Sequence, residues 1–189
     1  MLQEQQKLRM MIITALFAAI IGILAQVTIP LPLVPITGQT LAIGLAATIL
    51  GSTYGTISVL LYILLGAVGI PVFAGLSAGV SVIIGPTGGF IVGFIPTALF
   101  IGWYLEKTSF NFVSAMVANT IGMLITLSFG AAWLKVAADL SWGAALLGGF
   151  APQFIVVGLI KAALASWIGV LVRNRLASAN ILFTEKKSA

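Results

Sequence analysis

The sequence has no cysteine and no histidine. The first absence excludes disulfides and thiolate metal sites. The second excludes histidine general acid–base chemistry, zinc sites with histidine ligands and haem held by histidine. Acidic residues are scarce: Glu4, Glu106, Asp139 and Glu185 are all there are. None sits deep in an apolar run, so no carboxylate proton relay inside a membrane is expected. Charged residues make up 7% of the 189, against about 25% in soluble domains. The net charge of +5 gathers at the chain ends and is not a nucleic-acid footprint. What is present is apolar: 60% hydrophobic residues and a mean hydropathy of +1.19. The apolar runs are about 20 residues long rather than alternating ten-residue strands, the pattern of an all-α integral membrane protein.

Six spans are expected in a single membrane domain of residues 1–189, at roughly 8–27, 39–50, 54–68, 90–105, 112–133 and 150–172. The first exceeds a signal-peptide core and no A-x-A-like site follows, so it reads as a retained span. Gly51, Ser52 and Gly55 mark a tight turn between two short spans. In this layout Lys7, Arg9, Lys107, Arg173, Arg175, Lys186 and Lys187 fall on one side and Lys135 on the other. The positive-inside bias then puts both termini in the cytoplasm, with the chain multi-pass in the cell membrane.

Two outer segments break the helical pattern. Pro30, Pro32 and Pro35 forbid a regular helix after span 1, leaving a stiff connector or a lid. Residues 66–89 hold seven glycines and two prolines. They are expected to form an outer capping loop between helices 3 and 4, with Pro71, Phe73 and Gly75 in its turn. Gly85-Pro86-Thr87-Gly88-Gly89 suits a helix start with free backbone N–H groups. It lacks the GK[ST] ending of a phosphate-binding loop.

Lys161 lies eleven residues from each end of the Phe150–Val172 run. A charge at that depth costs about 2.5–3.5 kcal/mol on insertion scales. Either it snorkels to an interface or it faces a binding site. Gln153, eight residues earlier, is expected on much the same face. Asn119, mid-span, is either glue between helices or a ligand group. Ala15 and Ala19 have the small-xxx-small spacing that lets helices approach in lipid. The sum is a small helical bundle with a capped polar pocket. It fits a substrate-binding subunit that borrows energy from partners. The competing readings are a membrane enzyme acting on lipids, a small-solute channel, and a stand-alone secondary carrier for a vitamin-like carboxylate. The enzyme reading needs a nucleophile with a base or a carboxylate cluster.

Three stretches in this order, VPITGQTLAIGLAATILGSTYG, LLYILLGAVGIPVFAG and GPTGGFIVGF, resemble the BioY family, the biotin-specific S components of energy-coupling factor (ECF) vitamin transporters. The resemblance runs from span 1 to Lys161. It implies a six-helix S-component fold, biotin as transported ligand with no cofactor, and a complex with a transmembrane T component and two ATPases. Ala15 and Ala19 match the motif by which span 1 of S components meets the T component. The polar candidates for biotin are Lys161, Gln153, Asn119, Thr87 and Gln39, with Gly88 beside Thr87 and Phe73 closing the pocket. Lys161 is expected at either the carboxylate or the ureido carbonyl. Gly158 stands where the family pattern, like D-x-x-K, has an acidic residue one turn before the lysine. Asn119 or Gln153 is expected to compensate.

Overall fold

The computed structural model describes residues 2–32, 34–179 and 181–182; Glu185, Lys186 and Lys187 lie outside these. The described chain is helical, with elements α1 (Leu2–Ala25), α2 (Gln39–Ala67), α3 (Val80–Ile84), α4 (Gly88–Lys107), α5 (Phe112–Ala137), α6 (Trp142–Phe150) and α7 (Pro152–Ser178). Two short strands, β1 (Thr28–Ile29) and β2 (Ile36–Thr37), pair antiparallel and close the proline loop.

Helix α2 is a hairpin folded at Gly51. Gln39 donates from Nε2 to the Tyr62 hydroxyl, although 23 residues along a straight helix span about 34 Å. A Cβ on Gly55 would lie 2.8 Å from the Cα of Ala47, where a straight helix would separate them by about 12 Å. Gly51 reverses the chain at φ 81°, ψ −171°, a region essentially closed to residues with a Cβ. The five long apolar helices among the described residues therefore give six crossing segments. The arms of α2 are short: its first, residues 39–50, rises about 18 Å against a hydrocarbon core of about 30 Å.

The fold is clamped around this turn. Glu106 Oε1 accepts from the Ser52 N–H at 2.7 Å, and Oε2 from the Ser52 hydroxyl at 2.7 Å. Arg173 donates to the Ile49 carbonyl and lies 3.4 Å above the Phe110 ring. The turn's free carbonyl and N–H are thus met from α7 and α4. Gly51→Ala should lower stability by about 1–3 kcal/mol for the backbone alone, and its Cβ would also strike the Glu106 carboxylate. Thermal unfolding in detergent measures it; an unchanged midpoint would contradict the forced turn.

At the opposite end the capping segment folds over the bundle. Phe73 is 1% exposed. Its ring stands edge-on to Tyr62, with centroids 5.5 Å apart, in space that a Cβ on Gly66 would take. Trp133 donates to the Gly85 carbonyl at 2.9 Å and ties the end of α3 to α5. Helix α6, absent from the span layout, is capped by Ser141, whose hydroxyl accepts from the Ala144 N–H. It ends at Phe150, two residues before Pro152, the first residue of α7. On α1, Ala18 is buried, whereas Ala15 and Ala19 are exposed alongside Met11, Ile12 and Leu16.

Candidate functional site

A cavity of about 170 Å³ lies under the cap. Helix α7 lines it with Phe154, Val157, Gly158 and Lys161, the i, i+3, i+4, i+7 stripe of one helical face. Phe90, Ile91 and Phe94 of α4 and Leu127 of α5 supply apolar wall, and Phe73 of the capping segment lines it as well. Thr37, Gln39 and Thr40 reach it from the start of α2.

Lys161 is partly buried. Its Nζ donates to the Thr37 carbonyl at 2.6 Å and the Thr40 hydroxyl at 3.3 Å. An ammonium has three N–H donors, so one stays available to the cavity. No carboxylate among the described residues bonds to it. A desolvated cation lacking a counter-charge favours a ligand oxygen there. The lysine is held by a relay: the Thr37 hydroxyl donates to Gln39 Oε1 at 2.6 Å, and Gln39 Nε2 donates to Tyr62 beneath Phe73.

Thr126 of α5 offers the complementary group. The Thr97 hydroxyl donates its one proton to the Gly122 carbonyl at 3.0 Å. In its 2.7 Å contact with Thr126 it must then accept. Thr126, which lines the cavity, is left with acceptor capacity. The Thr87 hydroxyl, also lining the cavity, makes no hydrogen bond among the described residues.

Lys161, Gln39, Thr87 and Phe73 therefore come together. Gly88 sits just outside, where its missing Cβ allows close approach to the Ile83 carbonyl. Gln153 and Asn119 do not join them. Gln153 is exposed. Eight residues turn the helix about 80° beyond two full turns, and Phe154, at seven, takes the inward place instead. Asn119 is buried between helices, its two N–H groups shared among Thr48 Oγ1 at 3.1 Å, the Ala115 carbonyl at 2.9 Å and Ser166 Oγ at 3.3 Å. It joins α2, α5 and α7 as interhelical glue. Neither amide replaces a side chain at 158; Met123 fills that space, its sulfur standing where a Cβ of Gly158 would be. Thr37, Thr126 and Met123 carry no sequence signal of their own.

A model of the BioY family matches residues 1–178. The chain is 40% identical to the biotin transporter BioY2 of Lactococcus lactis subsp. cremoris, over 96% of this chain and 99% of that one. It is 37% identical to the biotin transporter BioY of Thermotoga maritima, over 88% of this chain and 97% of that one. Among solved structures, the S-component for biotin from an ECF-type ABC transporter superposes with a TM-score of 0.83 at 31% identity, covering 90% of this chain and 93% of that chain.

Proposed function

Because the chain belongs to the BioY family, we propose that it is the biotin-binding S component of an ECF-type transporter and captures biotin under the cap. It is a transporter subunit and not an enzyme, and biotin is its cargo. The observation that carries the reading is Lys161, a cation with a free donor and no carboxylate partner among the described residues, facing a cavity that is otherwise mostly apolar. Biotin has an anionic carboxylate, an aliphatic chain with a thioether, and a ureido ring that both donates and accepts. A few placed polar groups in an apolar enclosure suit such a ligand. Lys161 donates to one of biotin's oxygens, Thr126 accepts from a ureido N–H, and Thr87 and Gln39 stand as further polar contacts. Phe90, Phe94 and Phe73 enclose the apolar part.

Lys107, Arg173 and Arg175 lie at the Gly51 end of the bundle and Lys135 near the cap. That asymmetry supports a cap outside the cell with both termini in the cytoplasm. Energy comes from a T component and two ATPases, with Ala15 and Ala19 as the contact on α1. Uptake of labelled biotin by cells producing the chain with and without these partners tests the assignment. Saturable uptake that requires ATP hydrolysis is expected. Unsaturable flux down the biotin gradient through the chain alone would make it a channel.

Thr126→Val keeps the side-chain volume but removes the acceptor. Loss of one neutral hydrogen bond is worth about 0.5–1.5 kcal/mol, so biotin affinity should fall by up to about tenfold. Competition binding checks it; unchanged affinity would remove Thr126 from the ureido contact.

A further inference from the structure

Gln26 lies one residue beyond α1, outside the cavity lining. Its side-chain amide reaches across to the cap. The two N–H groups of Nε2 are shared among the Gly22 carbonyl at 3.0 Å, the Phe73 carbonyl at 3.0 Å and the Val72 carbonyl at 3.4 Å. Oε1 accepts from the Leu76 N–H at 2.8 Å. Three of these contacts go to one tight turn, 46 to 50 residues away in sequence.

That turn needs holding. Phe73 and Ser77 pair across it, with the Phe73 N–H donating to the Ser77 carbonyl at 3.1 Å. At its tip Gly75 has φ 67° and Leu76 φ 56°. The left-handed region is easy for glycine and unfavourable for leucine. Leu76 is 67% exposed, so its own side chain does not lock it there; the bond to Gln26 Oε1 does. The same amide grips the carbonyl of Phe73, a residue that lines the cavity and whose ring stands edge-on to Tyr62. Only an amide meets two carbonyls and an N–H from one planar group. Glutamate would turn acceptors toward the Val72 and Phe73 carbonyls.

We propose that Gln26 is the latch of the cap: a positioning residue, not itself in contact with ligand, that keeps Phe73 over the cavity and sets how fast the ligand leaves. This rests on the reading of the cavity as the biotin site. Opening of the turn is the step the latch opposes, so its loss acts on release more than on capture.

The test uses the purified full chain with Gln26→Leu and Gln26→Glu. Biotin dissociation should speed up about tenfold or more, with association little changed. Hydrogen exchange at residues 73–77 in the ligand-free protein should accelerate similarly, while α4 and α5 stay protected. Adding Leu76→Gly to Gln26→Leu should recover much of the slow dissociation, because glycine adopts that backbone without the bond. A merely structural role would instead lower thermal stability and slow association, with no rescue by glycine, and would overturn the latch. Unchanged dissociation and exchange would overturn it too. If Gln26→Leu does not fold, Gln26→Asn, one methylene short but still an amide, is read by the same criteria. If the wild type binds no biotin, the site reading falls and exchange alone decides. Acceleration confined to the turn then supports the latch, and unchanged exchange overturns it.

Discussion

Lys161→Met should weaken biotin binding by roughly ten- to a hundredfold, since a hydrogen bond to a charged group contributes about 1.5–3 kcal/mol. Methionine keeps much of the side-chain volume, so the loss reports the ammonium rather than a hole. The unliganded variant should be no less stable than the wild type. Losing Lys161 leaves the Thr37 carbonyl without its 2.6 Å partner, but it also removes a desolvated cation that bonds to no described carboxylate. Burial of such a charge costs several kcal/mol, which outweighs the bonds to the Thr37 carbonyl and the Thr40 hydroxyl. Lower affinity with undiminished stability is the signature of a binding group. Unchanged affinity in the folded variant would move Lys161 out of the site. Comparison with a neutral biotin amide then assigns the oxygen. If the amide binds the wild type as well as biotin does, Lys161 meets the ureido carbonyl; a ten- to hundredfold deficit assigns the carboxylate.

The double change Ala15→Trp with Ala19→Trp should abolish uptake and co-purification with the T component, while the isolated subunit still binds biotin. Both alanines are exposed on α1, and the inward position between them is Ala18, which is 1% exposed. Two indoles there project away from the bundle and leave its core intact. Helix association in lipid rests on close backbone approach, so bulk at both positions holds a partner helix off. Loss of biotin binding by the isolated variant would mean that the alanines serve the bundle itself. A variant that assembles and transports normally would remove them from any interface.

Much of the fold and part of the site are legible in the sequence, for identifiable reasons. The reversal at Gly51 shows because two short apolar runs meet at Gly51, Ser52 and Gly55, which punctuate helices strongly. Lys161 shows because a charge in a long apolar run is costly to keep. Phe73 shows because it lies in a glycine-broken segment that cannot be one helix. Other features depend on which side chains meet across the fold, and no local pattern encodes that. Gln26 meets a turn 46 to 50 residues away. The direction of the Thr126 hydrogen bond follows from a carbonyl that its partner Thr97 reaches. The sequence leaves both uses of Asn119 open, and its bonds to Thr48 and Ser166 make it glue. Gln153 shares the Lys161 face only if eight residues are rounded to two turns. On a real helix the remaining rotation carries it out to the surface.

The most direct test of biotin capture by one chain is equilibrium binding of biotin to the protein purified in detergent, without T component, ATPases or ATP. Tight, saturable one-to-one binding is expected, because every group assigned to the ligand lies within this chain. A folded, monodisperse protein that binds no biotin, or binds it only without saturation, would contradict the account.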